Sequence, residues 1–380
     1  MRLTKIWYSE FETLDHKWIM NDLELGQINL LVGKNATGKT RVLNVIAGLG
    51  RILLNPIIDL ASGHYRAEFV DEGKNLSYEL QVSDKMIVLE KLIIDGEEVL
   101  TRNSDGDGLI KYCDENRFMR FQAPSQILAA STRRDKLQHP FLEPIYAWAA
   151  ELRHYRFNSE SSKHSVMLVV DGGPKVDERN QAQVAGLFKH AINTYGVPFV
   201  EAIKRDLEII DYFVDDIFLK PPVVVKIEGA PGPFLALCVK ERDLSTYTDQ
   251  FAMSDGMYRA VTNLIFVNYY KFSGLAGTLI IDDIGEGLDF DRSCRLIKLL
   301  REKSLETKVQ LIIATNDKFV MNLIPLEEWS VLERKGCIVS IRNHKNSQNA
   351  FDEFRYTGLS NFSFLELDVL GEYDKDRSIQ

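Results

Sequence analysis

The chain has 380 residues, carries a formal net charge of −9, and is 45% hydrophobic and 27% charged. These are ordinary values for a globular protein long enough to form two or three structural units, so they exclude a wholly disordered chain. The acidic balance argues against a protein that coats nucleic acid, although it leaves a local basic patch open.

The cysteines and the N-terminal residues indicate the cellular compartment of the protein. The four cysteines are Cys113, Cys238, Cys294 and Cys337. They lie far apart with no CxxC pair, so we expect neither a zinc module nor a disulfide framework. Charges interrupt the N-terminus, and no uncharged apolar run approaches the roughly 20 residues that span a bilayer. We therefore expect a cytoplasmic protein without a membrane partner.

The apolar pattern predicts an α/β fold. The apolar run at 28–32 stops at a glycine, and the apolar residues from 42 to 53 follow at helical spacing, which predicts strand, turn and helix. The runs at 278–283 and 309–315 predict buried parallel strands joined by a crossover helix. Short alternating segments over 62–130 predict antiparallel hairpins.

From these elements we predict a P-loop NTPase with a mostly parallel sheet flanked by helices, an antiparallel β subdomain and a helical insertion. The predicted segments are an N-terminal lobe at 1–135, a helical insertion at 136–235 and a C-terminal lobe at 236–380. The insertion rests on apolar residues spaced by three and four between 191 and 218, which favour one long amphipathic stretch.

The turn after the first buried run matches G-x-x-x-x-G-K-[ST], a pattern that binds phosphate. Its residues are Gly33, Lys34, Asn35, Ala36, Thr37, Gly38, Lys39 and Thr40, followed by Arg41. The glycines let backbone N–H groups point inward, and the helix N-terminus adds positive charge. Lys39 would reach the β- and γ-phosphates and Thr40 would ligate Mg²⁺. The alternative is a glycine turn that caps a helix.

Two carboxylates end the buried run at 278–283. Asp282 would hold Mg²⁺, and Asp283 would orient or deprotonate the attacking water, because open α/β sheets bind ligands at the carboxyl ends of their strands. The alternative is an Asx turn at 283–285.

With these residues placed, the chain resembles the ATPase heads of the ABC superfamily, in particular the RecF/SMC-like group, without a long coiled coil or a fused nuclease. Residues 253–257 resemble the signature motif, residues 281–289 resemble the acidic strand that runs into the D-loop, and residues 311–317 occupy the place of the switch strand. The resemblance implies that ATP binds between two heads, with Ser254, Asp255 and Gly256 contacting the γ-phosphate held by the partner copy.

Two positions depart from the family pattern. Asp283 stands where a glutamate is usual, and Asn316 stands where the switch histidine is usual. General-base assistance is worth about 10²–10⁴-fold, so we expect slow turnover. The family glutamine that ligates Mg²⁺ has two candidates, Gln122 and Gln126, of which we favour Gln126.

The resemblance implies an ATPase that dimerises, or forms a higher homo-oligomer, around ATP·Mg²⁺ and switches a partner. Related heads accompany separate nuclease or toxin subunits in antiphage defence or genome maintenance. The alternative is a nucleotide-gated scaffold with little hydrolysis. A transporter motor subunit and a small-molecule P-loop kinase fit the motifs less well.

Nucleic acid stays open as a ligand, because two sets of basic residues lack an assigned role. The first set is Arg133 and Arg134, and the second is Lys271, Arg292, Arg295, Lys298, Arg301 and Lys303. In both sets a solvated surface is the simpler interpretation.

Overall fold

A computed structural model describes residues 1–11, 16–156, 163, 167–168, 184–222 and 234–378. The chain divides into two compact units. The first unit comprises Met1–Arg153, Gly277–Ile280 and Ile312–Gln380, and the second comprises His154–Ala276 and Ile281–Leu311. These units differ from the three segments that the sequence predicted, because the expected C-terminal lobe is shared between them.

The elements are numbered along the chain. The strands are β1 (Arg2–Glu10), β2 (Trp18–Glu24), β3 (Ile28–Val32), β4 (Ser62–Asp71), β5 (Lys74–Ser83), β6 (Met86–Ile94), β7 (Glu97–Arg102), β8 (Asp107–Tyr112), β9 (Arg117–Gln122), β10 (Leu152–Arg156), β11 (Met167–Leu168), β12 (Val214–Lys220), β13 (Phe234–Glu241), β14 (Thr248–Asp249), β15 (Gly277–Asp282), β16 (Val309–Ala314), β17 (Trp329–Lys335) and β18 (Ile338–Asn343). The helices are α1 (Lys39–Leu54), α2 (Ala129–Thr132), α3 (Glu143–Ala150), α4 (Val184–Tyr195), α5 (Val197–Ile209), α6 (Asp255–Ser273), α7 (Phe290–Leu305), α8 (Lys318–Leu323), α9 (Gln348–Arg355), α10 (Asn361–Glu366) and α11 (Val369–Ser378).

The first unit is built on one large sheet. Its strand order is β10-β15-β16-β3-β17-β18-β2-β1-β4-β5-β6-β7-β8-β9, and strands β10, β15 and β16 pass from one unit to the other along their length. All residues of β3, β15 and β16 are buried. A strand that is covered on both faces is apolar along its whole length, and such continuous apolar runs are visible in the sequence. These three strands could therefore be predicted from the sequence.

The sheet is mixed, with both parallel and antiparallel pairs. β17 pairs with β3 and β18 pairs with β2 in parallel. Antiparallel pairs join β17 to β18, β2 to β1, β1 to β4, and each successive pair from β4 to β9. The predicted α/β class and the antiparallel subdomain are therefore confirmed, and the sheet as a whole is mixed because the hairpins from β1 to β9 continue it.

Turn residues explain the hairpins. Glu72 and Gly73 join β4 to β5 with φ of 47° and 85°, and Asp95 and Gly96 join β6 to β7 with φ of 49° and 86°. Two successive residues with positive φ match the right-handed twist of a tight two-residue hairpin. Because the connections are this short, strands that follow one another in the chain also pair in space.

Among its described residues, the second unit combines a small antiparallel sheet with several helices. β13 pairs with β11, β12 and β14, and the helices are α4 to α7. The predicted helical stretch is interrupted, because Gly196 has a φ of 65° between α4 and α5 and the residues after α5 form β12. β10 is likewise a strand inside the predicted helical insertion.

Three buried polar side chains connect the helices of the second unit. Asn268 on α6 donates to Asp206 on α5 at 2.6 Å, and Lys303 on α7 contacts the same carboxylate oxygen at 2.8 Å. Lys303 Nζ also donates to Asn268 Oδ1 at 3.2 Å. Buried charges are tolerated when they are paired in this way, so the triad fixes how α5, α6 and α7 pack.

The described helices include none that could cross a membrane, since each one is either too short or too polar.

Candidate nucleotide-binding site

The predicted phosphate loop, Gly33–Thr40, connects β3 to α1 in the first unit. The loop curls tightly: the Thr37 N–H and hydroxyl both donate to the Lys34 carbonyl, at 3.3 and 2.9 Å. A Cβ on Gly33 would lie 2.7 Å from the Leu332 carbonyl oxygen and 2.8 Å from Thr37 Oγ1. A side chain has no room there, which explains the first glycine of the motif.

The second glycine of the motif begins the helix. Gly38 is the N-cap of α1 in the left-handed region, with a φ of 103°, and no side chain caps the first turn. The first turn also carries no acidic residue. A helix N-terminus with neither a capping side chain nor a carboxylate leaves its positive end available to an anion.

Lys39 lies against the loop that it follows. It is 8% exposed, and its ammonium donates to the carbonyls of Gly33 at 2.8 Å and Lys34 at 3.4 Å. A cation at this point, next to the helix N-terminus, can also donate to a phosphate. Thr40 is exposed in the first turn of α1.

Arg41 has other partners beside the loop. Its guanidinium pairs with the Glu10 carboxylate and lies 4.2 Å above the centre of the Trp18 ring. Tyr8 donates to the other Glu10 oxygen at 2.8 Å. The structure thus ties Arg41 to β1 and β2, so its role toward a nucleotide stays a prediction.

Asn316 follows the strand next to the phosphate-loop strand. β16 lies beside β3 in the sheet, Gly33 follows β3 and Asn316 comes two residues after β16. Asn316 is exposed, and Asp317 behind it caps α8 by accepting from the Phe319 N–H at 2.8 Å. The cap fixes the turn in which Asn316 stands.

The structure does not bring Gln126 to the phosphate loop. The Gln126 carbonyl accepts from the Ile58 N–H at 2.9 Å, and the Ser131 hydroxyl donates to the Leu53 carbonyl at 2.7 Å. These contacts lie at the C-terminal end of α1, a helix about 24 Å long, whereas Thr40 is in its first turn. We therefore do not retain Gln126 as a magnesium ligand.

The segment that contains both candidate glutamines is held by two buried charges. Glu90 accepts from the Ala129 and Ala130 N–H groups at 2.9 and 2.8 Å, while Arg102 donates to the carbonyls of Pro124 at 2.6 Å and of Ile127. Burial raises the pKa of Glu90 despite these bonds. The contacts give the segment a structural role.

The acidic pair belongs to the second unit. Asp282 ends β15 and is 4% exposed, and its carboxylate makes no hydrogen bond or ion pair with the described residues. A buried unpaired carboxylate is unfavourable, so a cation is the expected partner. Asp283 follows with a φ of 52°, a conformation in which Asp is enriched among non-glycine residues. A β-turn follows, since the Glu286 N–H donates to the Asp283 backbone carbonyl at 3.1 Å.

Ser254 caps its own helix. It is the N-cap of α6, and its Oγ accepts from the Met257 N–H at 3.2 Å. Capping is the alternative to a ligand role for Ser254. The two roles are compatible, because the hydroxyl oxygen accepts the capping bond and the hydroxyl hydrogen can still be donated. Asp255 is exposed and pairs with Lys163 at 2.8 Å.

A cavity of about 410 Å³ lies beside Ser254 within the second unit. Its lining includes Tyr212, Arg242, Met257 and Arg292. The Arg292 guanidinium lies 4.3 Å from the centre of the Tyr212 ring and donates to Asp289 Oδ2 at 3.0 Å. Burial raises the pKa of Tyr212, so its hydroxyl keeps its proton. Sequence spacing did not indicate that Tyr212, Arg242 and Arg292 lie beside Ser254.

Arg259 connects the signature segment to the acidic turn. It is 8% exposed, and its guanidinium donates to the Glu286 carbonyl and, at 3.2 Å, to Glu286 Oε2. No sequence motif marked Arg259, although it lies five positions after Ser254 and therefore little more than one turn into α6.

Most of the basic residues set aside above have carboxylate partners. Arg134 makes two bonds to Glu143, at 3.0 and 2.7 Å. In the second unit, ion pairs join Lys271 to Glu306, Arg292 to Asp289, Arg295 to Asp211 and Lys303 to Asp206. These pairs reduce the positive charge that a nucleic acid would meet.

No protein-family model matches the chain, and no curated protein matches its sequence. A crystal structure of an Smc head bound to the C-winged helix domain of ScpA aligns with a TM-score of 0.53 and 12% identity, covering 92% of this chain and 100% of that chain. A Pyrococcus furiosus Smc head domain with an extended coiled coil, bound to the C-terminal domain of ScpA, aligns with a TM-score of 0.50 and 12% identity, covering 93% and 99%. The chain therefore has the fold of SMC head domains, and the predicted resemblance is confirmed at the level of the fold.

Proposed function

We propose that the chain binds ATP at Gly33–Thr40 and hydrolyses it slowly. The observation that carries the proposal is the curled loop, with Lys39 held against it, at the uncapped N-terminus of α1. Inward amides, a helix N-terminus and an ammonium together suit a chain of phosphates better than a single carboxylate.

Magnesium would be held by the Thr40 hydroxyl and the Asp282 carboxylate. Oxygen ligands of these kinds are the ones that Mg²⁺ prefers, and the unpaired buried carboxylate of Asp282 supports a cation there. When bound, the ion neutralises charge on the β- and γ-phosphates.

Asp283 would accept the proton of the attacking water or orient it, and Asn316 would hydrogen bond near the γ-phosphate without taking up a proton. The products are ADP and phosphate. A short carboxylate and a switch group that does not titrate both favour slow turnover.

A second copy of the chain would complete the site through Ser254, Asp255 and Gly256. The Ser254 hydroxyl hydrogen and the N-terminus of α6 would contact the γ-phosphate held by the other copy. ATP would then favour the dimer, and hydrolysis would release it.

The dimer would switch a separate partner, for which a nuclease or toxin subunit in antiphage defence or genome maintenance is our hypothesis. The two neighbours in fold are each bound to a domain of ScpA, and this supports a protein partner. The second candidate function is a scaffold that needs ATP binding alone, which the departures at Asp283 and Asn316 favour.

The test is ATP binding and phosphate release by the wild type, Lys39→Ala and Asp283→Asn. Lys39→Ala should weaken ATP binding about 10–100-fold, as expected for loss of a charge-assisted hydrogen bond. Lys74→Ala, an exposed lysine of the β4–β5 hairpin, is the control. Unchanged ATP affinity in Lys39→Ala would contradict the proposed site. Phosphate release by the wild type no higher than in a sample without protein, at unchanged ATP binding, would select the scaffold.

A further inference from the structure

The last strand of the large sheet has an open edge. β9 pairs with β8 over six residues, from Arg117 opposite Tyr112 to Gln122 opposite Asp107, and no other described strand pairs with it. Half of the amide and carbonyl groups of an edge strand point away from its neighbour, and such a row pairs readily with another extended chain. Natural edges are usually shortened, interrupted by proline or covered, yet β9 is six residues long, contains no proline and is exposed except at Phe121.

Apolar side chains accompany this edge. Phe118 is 47% and Met119 38% exposed on β9, and Leu109 on β8, opposite Arg120, is 41% exposed. A cavity of about 420 Å³, lined in part by Leu109, Arg120 and Phe121, lies beside the strand. In strand addition the backbone supplies affinity and adjacent pockets take alternate side chains. The edge and the cavity together form such an arrangement.

The charged side chains of β9 itself are both arginines, Arg117 and Arg120. Arg120 makes no ion pair with the described residues, and Arg133 stacks 4.9 Å from the centre of the Phe121 ring and donates to the Gln122 carbonyl at 3.2 Å, without a carboxylate partner. Arg117 is neutralised by Glu115 at 2.5 Å. Asp107 lies opposite Gln122, and Asp105 and Asp114 stand in the turns before and after β8, so among the side chains of β9 itself Arg120 is the charge without an ion pair to the described residues.

We propose that β9 is a docking edge for an extended segment of a partner protein, which adds as a further strand and places acidic side chains near Arg120 and Arg133. Open backbone favours a polypeptide over a nucleic acid, because only a polypeptide satisfies both the amides and the carbonyls of the edge. The arginines favour an acidic segment, since opposite charges on neighbouring strands attract.

The probe is a labelled, end-capped octapeptide of alternating valine and glutamate, compared with one of valine and lysine, in fluorescence anisotropy with the full chain and no nucleotide. The glutamate peptide should bind and the lysine peptide should not. Arg120→Glu should weaken binding about fivefold or more, which corresponds to the roughly 1 kcal/mol of a cross-strand charge pair. Lys74→Glu, with the same change of net charge on another hairpin, should bind as the wild type does.

Two proline variants test the backbone. N–H groups of adjacent strand residues point in opposite directions, so one of Phe118→Pro and Met119→Pro removes an outward N–H and leaves the β8–β9 pairing intact. The variant that keeps the wild-type melting temperature should lose the peptide, and wild-type binding by that variant would overturn strand addition. Three other results would also overturn the proposal. The chain could prefer the lysine peptide, or it could bind a thymidine dodecamer and neither peptide. It could also self-associate through a contact that Arg120→Glu abolishes, without binding either peptide. None of these results depends on ATP, so they are separable from a failure of the nucleotide site.

Discussion

Gly256 and Gly287 approach so closely that a Cβ on Gly256 would lie 2.3 Å from the Gly287 carbonyl oxygen. Gly287 itself has a φ of 79°, which a residue with a side chain rarely adopts. Arg259 adds its bonds to Glu286 next to this contact. The start of α6, which carries Ser254, and the turn after Asp283 are therefore packed as one piece within the second unit.

Gly256→Ala should disturb this contact. The new methyl group meets backbone rather than a flexible side chain, so we expect a loss of stability of about 1–3 kcal/mol and a lower melting temperature. Gly26→Ala is the control, because its Cβ would meet nothing closer than 3.7 Å. Equal melting temperatures for the two variants would contradict the packing described for Gly256.

Asp283→Asn should separate chemistry from folding. Asn tolerates the left-handed region as Asp does, so the melting temperature should stay near that of the wild type. Phosphate release should fall about 10²–10⁴-fold, because an amide cannot accept the proton of water. A variant that retains turnover would show that Asp283 is not the group that activates water.

Asn316→His should raise turnover. The side chain is exposed in a turn fixed by Asp317, so a larger ring needs no repacking. Imidazole can take up a proton near neutral pH, which the amide cannot, and we expect phosphate release to rise about tenfold or more. A decrease in phosphate release, at unchanged ATP affinity, would contradict the interpretation of Asn316 as a weakened switch group.

Glu90 should make stability depend on pH. Its pKa is raised by burial above the usual value of 4.5, so the folded state holds its proton more tightly than the unfolded chain does. The corresponding contribution to stability is present below pH 4.5 and is lost as pH rises through the folded-state pKa. Denaturant midpoints measured for the wild type and Glu90→Gln from pH 4 to 8 should show this decline in the wild type and not in the variant. Parallel curves would contradict it.

The phosphate loop and its neighbouring strands could be predicted from the sequence because their signals are local. The spacing from Gly33 to Thr40 is fixed by the loop itself, and the fully buried β3, β15 and β16 appear as continuous apolar runs. The hairpins could also be predicted from local signals, since pairs of turn residues such as Asp95 and Gly96 determine where each hairpin turns.

Features that depend on tertiary contacts could not be predicted in this way. Gln126 precedes a plausible strand in the sequence, which made it a candidate magnesium ligand, but its hydrogen bond to Ile58, beyond α1, places it at the far end of that helix. Tyr212 lies beside Ser254 although 42 residues separate them in the chain, and only the packing of the second unit brings them together. β10 is short and polar, so its neighbour β15 rather than its own pattern makes it a strand.

The most direct test of the account is the mass of the protein in solution with Mg²⁺ and a non-hydrolysable ATP analogue. The analogue should double the mass of the wild type, and neither Lys39→Ala nor Ser254→Arg alone should respond to it. An equal mixture of these two variants should recover part of the dimer, since one copy supplies the intact phosphate loop and the other the intact Ser254. A wild type that binds the analogue and stays monomeric at every concentration would contradict the claim that a second copy contacts the bound triphosphate.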